Sequence, residues 1–193
     1  MKLVIIDTAC ANLASLKFSL ERLGYKAEIS RDLKVLESAD KLFLPGVGTA
    51  AKAIKNLEHF KLIEFIQRTK KPLLGICLGM QILGTFSEEL SQKTLDIMPF
   101  KTLKFEESEN FTLPHMGWNN VKSEDELFKG LNGAYFYFVH SYCVGLNDYT
   151  IATCEYCKSF SAAVKKDNFY GVQFHPERSS EAGELLLRNF ILL

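Results

Sequence analysis

The residues best suited to chemistry lie around one cysteine, in Gly75-Ile76-Cys77-Leu78-Gly79. This Gly-x-nucleophile-x-Gly pattern stands between an apolar run and a segment with helical character. It is typical of a sharp strand-to-helix turn that raises the central side chain above a sheet and leaves no room for a Cβ beside it. The N–H groups of the following helix favour a thiolate and can bind an oxyanion. We therefore interpret Cys77 as a nucleophile, the alternative being a buried structural cysteine.

A cysteine nucleophile needs a base and a group that orients the base. His175 follows the apolar run 169–174, and Glu177 stands two residues later, where its carboxylate can turn back to the imidazole. His140, at the end of another apolar run, is the competing base, whereas His59 has the polar helical context of a surface residue. We favour His175 as the base.

The segment Pro45-Gly46-Val47-Gly48 follows an apolar run and supplies two glycines to a turn. Two glycines allow a backbone N–H to be aimed at a ligand. The alternative is an ordinary loop at the end of a strand.

The sequence contains five cysteines, an odd number in a chain without a recognisable secretion signal. This favours free thiols over a disulfide framework. Cys154 and Cys157 form a C-x-x-C pair, but no second Cys/His pair stands at a spacing suited to zinc. We interpret the pair as coincidental and predict no metal site.

The elements that must position these residues alternate in type. The apolar runs 3–6, 25–30, 41–45 and 72–77 predict strands, and periodic apolar residues predict helices from Asn12 to Gly24, over 50–69 and from Leu78 onward. Strands alternating with helices indicate a parallel α/β sheet. Further strands are expected at 100–105, 134–139, 149–154, 160–165 and 169–174, with a last helix over 181–192.

Composition limits the class of protein. The 193 residues are 47% apolar and carry 23 basic and 23 acidic residues, so neither nucleic acid nor an anionic membrane is an expected partner. The apolar runs are shorter than the roughly 20 residues of a membrane span, and the N-terminus lacks a signal-peptide pattern. We expect a cytoplasmic protein with one domain over residues 1–193.

Together the motifs resemble the class I (triad) glutamine amidotransferases. Residues 75–81 are similar to their nucleophile elbow, 45–48 to their oxyanion strand and 171–177 to their His-x-Glu segment. The segments Pro114-His115-Met116-Gly117-Trp118-Asn119 and Tyr137-Phe138-Val139-His140-Ser141-Tyr142 are similar to the glutaminase subunits of imidazole glycerol phosphate synthases. The resemblance implies a flavodoxin-like α/β fold, with a mostly parallel sheet flanked by helices and additional antiparallel strands in the C-terminal half.

The resemblance also implies roles for individual residues. Cys77, His175 and Glu177 would be the catalytic triad. The residues of the oxyanion hole would be Gly46, Val47, Gly48 and Leu78. Those that bind the glutamine substrate would be Gln81, Glu89, His140, Ser141 and Tyr142. Those that contact the synthase partner would be Asn12, Met116, Trp118, Asn119 and Tyr137.

The implied activity is hydrolysis of L-glutamine to glutamate and ammonia without a metal or organic cofactor. In this family the ammonia passes to a (β/α)₈ barrel synthase subunit in a heterodimer. The barrel forms imidazole glycerol phosphate and an aminoimidazole carboxamide ribotide, in histidine biosynthesis.

One loop departs from the family pattern. The family usually has Asp-Tyr-Gly-x-Gly-Asn after the first strand, whereas this chain has Asp7-Thr8-Ala9-Cys10-Ala11-Asn12. A left-handed conformation costs an alanine about 1–2 kcal/mol, so we expect the loop to take another shape. The departure leaves two alternatives open: a divergent paralogue that supplies ammonia for amidation of a surface sugar, and a non-catalytic scaffold subunit.

Overall fold

The computed structural model describes residues 1–9, 12–106 and 111–193. The α-helices are α1 (Leu13–Arg22), α2 (Leu33–Glu37), α3 (Ala50–His59), α4 (Ile63–Arg68), α5 (Leu78–Gln81) and α6 (Ser180–Leu192). The strands are β1 (Leu3–Ile6), β2 (Ala27–Ser30), β3 (Lys41–Gly46), β4 (Leu73–Cys77), β5 (Phe86–Ser87), β6 (Gln92–Lys93), β7 (Lys101–Lys104), β8 (His115–Lys122), β9 (Tyr135–His140), β10 (Tyr142–Val144), β11 (Thr150–Glu155), β12 (Ser159–Lys166) and β13 (Phe169–Val172). Short 3₁₀ turns occur at Glu89–Ser91, Glu126–Phe128 and Pro176–Arg178.

Within the described residues, the main sheet has nine strands in the order β2-β1-β3-β4-β13-β12-β11-β8-β9. The strands from β2 to β13 are parallel, and those from β13 to β9 pair antiparallel. The α/β class and the antiparallel strands of the C-terminal half are thus confirmed. Strand β13 lies at the junction, so it brings the C-terminal part of the chain beside the cysteine-bearing strand β4.

Helices cover both faces of the parallel half. Strand β1 shows why, because Leu3 and Ile5 enter the core under α1 and α6, whereas Val4 and Ile6 enter the core under α2, α3 and α4. A continuous apolar strand is the expected pattern for burial on both faces. A small sheet, β10-β7-β5-β6, lies beside the main one. Across the described ranges, no helix has the length and hydrophobicity needed to cross a bilayer.

The prediction of one helix over residues 50–69 is wrong, because the chain breaks between α3 and α4. Lys61 is left-handed with φ 57°. Its N–H donates to Glu58 O at 2.9 Å, and the next N–H, of Leu62, donates to Leu57 O at 2.8 Å. This is a Schellman motif with lysine where glycine is usual. Helix α1 ends in the same motif at Gly24, as predicted.

Strand β8 and helix α2 are elements that the sequence patterns do not indicate. The β8 sequence, HMGWNNVK, contains a glycine and two asparagines, residues that are depleted in strands. Its pairing with the aromatic strand β9 over six residue pairs, from His115 opposite His140 to Asn120 opposite Tyr135, explains why it is nevertheless extended.

The loop after β1 keeps a left-handed residue despite its alanines. Ala9 has φ 53°, and its N–H donates to Asp7 Oδ1 at 2.9 Å. The expectation that alanine forces another shape is therefore wrong at Ala9. Cys10 and Ala11 lie outside the described residues.

The turn after β4 depends on glycines that lie against the backbone. A Cβ on Gly75 would come within 2.7 Å of Gly79 O, and one on Gly79 would come within 1.8 Å of Leu44 O in strand β3. The predicted lack of space beside Cys77 is confirmed. No side-chain adjustment relieves a clash with a backbone carbonyl, so β3 and α5 would have to separate.

We expect Gly79→Ala to lower the free energy of unfolding by at least about 3 kcal/mol, because the added methyl group meets the β3 backbone. Gly145→Ala is the matched control, since a Cβ there has nothing within 4 Å and its φ is not left-handed. The control should differ from the parent by about 0.5 kcal/mol or less in urea denaturation. Equal stabilities of the two variants would show that the contact is not restrictive.

Candidate active site

Cys77 lies at the carboxyl end of β4, where the chain turns sharply into α5. Its backbone is strained, with φ 55° and ψ −111°, values that L residues rarely adopt. The side chain is buried, with the residue 7% exposed. Parallel pairing places Gly46 of β3 opposite Cys77, and β13 ends on the other side after Val172 pairs with Ile76. Three neighbouring strands therefore deliver their ends to one place.

His175 and Glu177 follow β13 and form an ion pair. His175 Nδ1 and Glu177 Oε1 are 2.8 Å apart, and both side chains are at least nine-tenths buried. The His175 backbone is held by its N–H to Tyr137 O at 2.9 Å and by the Ser179 hydroxyl donating to His175 O at 2.6 Å. The imidazole is thus fixed by its own ion pair and by a restrained backbone.

The second nitrogen of this imidazole is available for chemistry. Nε2 of His175 is buried and makes no hydrogen bond among the described residues. Burial opposes a charge on His175, but the interactions with Cys77 and with Glu177 outweigh it and raise the pKa of His175 to about 10. The Cys77 thiol and the His175 imidazole line the same cavity. An imidazole charged beside a thiol favours the thiolate.

A cavity of about 300 Å³ opens above Cys77 and His175. It brings together most of the residues singled out from the sequence, namely Val47, Gly48, Cys77, Leu78, Gln81, Glu89, His140, Ser141, Tyr142 and His175. Pro114 and Val139 also line it and were not predicted. Gly46 and Glu177 instead line a smaller cavity of about 90 Å³ that shares Val47 and His175 with the first and also includes Asn12.

The loop after β3 combines a left-handed glycine with an exposed valine. Gly48 has φ 90°, a conformation that favours glycine, and Val47 is 45% exposed. Together with the start of α5 at Leu78, this loop borders the cavity. Glu89 reaches the same region, where its Oε2 accepts the N–H of Ala50 at 2.9 Å and so caps helix α3.

Gln81 is fixed by two acceptors. Its Nε2 donates to Tyr142 O at 3.0 Å and to Gln173 Oε1 at 3.0 Å. A backbone carbonyl only accepts, so the Tyr142 contact requires the nitrogen of Gln81 to stand there. Both N–H groups of the amide are used, and Oε1 is the atom of Gln81 left for a ligand. Gln173 is a site residue that sequence reasoning missed, although it lies within the motif 171–177.

His140 and His115 form a hydrogen-bonded chain whose direction is determined. His140 Nδ1 lies 2.8 Å from Tyr142 O and must donate, so in the neutral ring Nε2 accepts from His115 Nδ1 at 3.0 Å. His115 Nε2 in turn accepts from the Asn119 amide at 3.3 Å. His140 therefore holds the Tyr142 carbonyl and has no base to offer Cys77, which favours His175 as the base.

Burial keeps both of these rings neutral. It lowers the pKa of His140 to about 3, with the charges of His115 and His175 acting in the same direction, and it lowers the pKa of His115 to about 4. His115 also stacks on Tyr156, with ring centroids 3.9 Å apart.

Three of the residues predicted to meet a partner, Met116, Trp118 and Tyr137, lie on the same face of the β8–β9 pair. Met116 and Trp118 are 66% and 53% exposed, and Trp118 contacts Tyr137 edge-to-face. Asn12 is exposed at the start of α1, where its side chain accepts the N–H of Ser15. Asn119 differs, since its amide turns to Glu155 O at 2.8 Å and to His115.

Three further cysteines in the described part of the chain lack a reactive environment. Cys143, Cys154 and Cys157 are free thiols, and burial raises the pKa of Cys143 to about 11 and that of Cys154 to about 12. In the part of the chain that the structure describes, no group of three or more His, Cys, Asp or Glu residues is arranged to hold a metal ion.

Comparison with known proteins gives a consistent family. Residues 4–193 match the profile of the family described as glutamine amidotransferase class-I. The chain is 76% identical over 191 residues to the imidazole glycerol phosphate synthase subunit HisH 2 of Campylobacter jejuni strain RM1221, covering 99% of this chain and 98% of that protein. It is 56% identical over 200 residues to subunit HisH 1 of Vibrio vulnificus strain YJ016, covering 100% and 98%.

Solved structures share the fold at low identity. A putative GMP synthase protein from Thermoplasma acidophilum superposes with a TM-score of 0.75 at 21% identity, covering 99% of this chain and 92% of that one. A structure described as a glutamine amidotransferase gives a TM-score of 0.77 at 17% identity, covering 98% and 97%.

The buried histidines predict how stability depends on pH. At pH 5 the folded protein keeps His115 and His140 neutral, whereas the unfolded chain protonates them near the ordinary value of 6.5. The unfolded state therefore binds more protons, and acidification from pH 7 to 5 costs about 1–2 kcal/mol for each histidine. His115→Gln should make the unfolding free energy fall less over this range by that amount.

The control for this prediction is His59→Gln, at an exposed position. It should reproduce the pH dependence of the parent in denaturant titrations at each pH. Parallel curves for His115→Gln and the parent would contradict a neutral buried His115.

Proposed function

The chain belongs to the class-I glutamine amidotransferase family, and from this premise we propose that it is the glutaminase subunit of an imidazole glycerol phosphate synthase. It hydrolyses L-glutamine to glutamate and ammonia in the cytoplasm, with residues 1–193 acting as one glutamine amidotransferase domain. The observation that carries the proposal is the cavity that joins Cys77 to His175, with His175 bound to Glu177 at 2.8 Å. The relatives named as HisH subunits support the pathway.

The proposed reaction uses the triad in two steps. The Cys77 thiolate attacks the carbon of the substrate carboxamide, and the tetrahedral intermediate breaks its C–N bond as the His175 imidazolium gives a proton to the departing ammonia. Water, deprotonated by His175, then attacks the glutamyl thioester, releases glutamate and returns the thiol. Glu177 orients the imidazole and stabilises its charged form. The raised pKa of His175 supports the charged state that the first step requires.

The oxyanion of both intermediates would be bound by N–H groups from the Gly46-Val47-Gly48 loop and from Leu78. One well-placed donor contributes roughly 3–4 kcal/mol to the transition state. Because Val47 is 45% exposed, a partner resting on this loop could aim its N–H and so control turnover. The substrate head group would be bound by Gln81, Glu89, His140, Ser141 and Tyr142, which line the same cavity.

The proposed partner is a (β/α)₈ barrel synthase subunit that receives the ammonia within a heterodimer. Met116 and Trp118 are exposed and Trp118 contacts Tyr137, and such aromatic residues and methionine are enriched at the centre of protein–protein interfaces. Asn12 borders the smaller cavity beside His175 and Glu177, so the same partner would lie close to the site of ammonia release.

A second candidate keeps the chemistry and changes the acceptor: a paralogous subunit that supplies ammonia for amidation of a surface sugar. Ala9 favours it, because the family usually has glycine at this left-handed position. The relatives from Campylobacter jejuni also carry the numeral 2 in their subunit names. Both observations are compatible with a copy whose partner differs from the histidine-pathway barrel.

The triad predicts a graded series of activity losses. Cys77→Ser and His175→Asn should each lower kcat for glutamine hydrolysis by about 10⁴-fold or more, and Glu177→Gln by a smaller factor, since it orients rather than transfers a proton. His59→Asn and Glu181→Gln, at exposed positions, are the matched controls. A larger loss for His140→Asn than for His175→Asn would show that His175 is not the base.

The partner is tested by measuring glutamate release from glutamine. The purified chain is assayed alone and then with the histidine-pathway barrel of the same cell and its nucleotide ligand. A large increase that requires this barrel is the expected result. No increase with it, but activity with a divergent barrel encoded nearby, would favour the second candidate.

A further inference from the structure

Gln173 is a fully buried polar residue between the nucleophile and the proposed substrate-binding residues. It is 0% exposed and follows directly after β13. Its Oε1 accepts from Gln81 Nε2 at 3.0 Å, and its Nε2 donates to Cys77 Sγ at 3.8 Å, within the range of hydrogen bonds to sulfur. Its backbone N–H is used elsewhere, by Ala162 O. The side-chain amide of Gln173 therefore links the amide of Gln81 to the thiol of Cys77.

The orientation of this amide follows from its neighbours. The Tyr142 carbonyl can only accept, so Gln81 must present its nitrogen to Tyr142 and use the second hydrogen of that nitrogen for Gln173. The atom of Gln173 that faces Gln81 must then be oxygen, which turns the nitrogen of Gln173 toward Cys77. The opposite orientation would bring two N–H groups together in a buried site, at a substantial cost.

We propose that Gln173 is a further catalytic residue, whose Nε2–H stabilises the Cys77 thiolate while its Oε1 fixes Gln81 with the Gln81 oxygen facing the cavity. This rests on the proposed glutaminase function and deepens it. A thiolate accepts an N–H bond more strongly than a neutral thiol does, because the bond is then charge-assisted. The neutral thiol has a different partner in Val139 O, 4.0 Å from Sγ. Gln173 thus distinguishes the two states of the nucleophile.

Gln173 also determines which group of the substrate Gln81 can bind. With both N–H groups held by Tyr142 O and Gln173 Oε1, Gln81 offers only an acceptor to the cavity. An acceptor suits the ammonium group of an amino acid and repels its carboxylate. Glu89, which also lines the cavity, adds a negative charge of the same preference. Gln173 therefore acts on substrate orientation through Gln81 as well as on the nucleophile.

Two variants separate these effects. Gln173→Met removes both the donor and the acceptor and keeps a similar volume, so the site stays filled. Gln173→Glu, in its ionised form, keeps an acceptor for Gln81 but has no hydrogen for Cys77 and adds a negative charge. Gln67→Met is the control for the same substitution outside the cavity, since the Gln67 amide donates to a backbone carbonyl, Leu95 O, and does not contact Cys77.

The first measurement is the pH dependence of alkylation of Cys77 by iodoacetamide, followed by mass spectrometry of the peptide that contains it, without glutamine or a partner. We expect the pH midpoint to rise by about one unit in both variants, equivalent to about tenfold less thiolate at a given pH. It should stay unchanged in Gln67→Met. An unchanged midpoint in folded Gln173→Met would overturn the proposal.

The second measurement is steady-state kinetics of glutamine hydrolysis in the presence of the barrel subunit and its nucleotide ligand. Gln173→Met should raise KM and lower kcat, whereas Gln173→Glu should lower kcat with a smaller effect on KM, because Gln81 keeps its acceptor. A structural role alone would not move the alkylation midpoint or separate the two constants. Equal changes of KM in both variants would remove the Gln81 part of the proposal.

A third measurement needs no variant at position 173 and covers the case in which both fail to fold. The side-chain amide signals of Gln173 in a ¹H–¹⁵N spectrum should titrate at the pH midpoint of Cys77 alkylation and lose that titration in Cys77→Ser. Gln173 amide chemical shifts that do not change with pH would overturn the proposal. The alkylation data do not depend on turnover, so they stand if the parent proves inactive with every barrel, an outcome that counts against the proposed function alone.

Discussion

The contact between the α5 backbone and strand β3 is the constraint on which the site depends. Gly79 lies so close to Leu44 O that one methyl group cannot be accommodated, and this approach forces the chain to reverse within the single residue Cys77. The φ of 55° at Cys77 is the consequence, and this conformation makes the thiol project from the end of β4. Neighbouring parallel strands then bring the loop after β3 and His175 to the same edge, because the carboxyl ends of parallel strands coincide.

The Tyr142 carbonyl has a comparable role for the polar groups of the cavity. It accepts hydrogen bonds from both Gln81 and His140, and each bond starts a chain whose donor and acceptor order it determines. One chain passes through Gln173 to Cys77, and the other passes through His115 to Asn119. A buried amide or imidazole is costly when unpaired, so a single carbonyl that orders several such groups stabilises one arrangement over its alternatives.

Local signals in the sequence account for the elements around the site. Asn12 and Gly24 mark the two ends of α1 because a side-chain cap and a left-handed glycine act within one turn of the helix. The break between α3 and α4 at Lys61 could not be predicted in this way, because lysine has no local preference for the left-handed conformation that it adopts there. Strand β8 is extended because it pairs with β9, and Gln173 matters because of Gln81 and Cys77, which are distant in sequence. Contacts of this kind have no local pattern.

The hairpin of β8 and β9 has two faces with different tasks. Alternation along β8 directs His115 inward and Met116 outward, and the partner strand directs His140 inward opposite His115 and Tyr137 outward opposite Trp118. The apolar outer face and the histidine chain are therefore parts of one rigid element, and no residue of the hairpin can shift far without disturbing both. The outer face and the Tyr142 carbonyl are connected by a path of one strand pair and two imidazole rings. That path ends at a carbonyl which, through Gln81, also determines the orientation of the Gln173 amide.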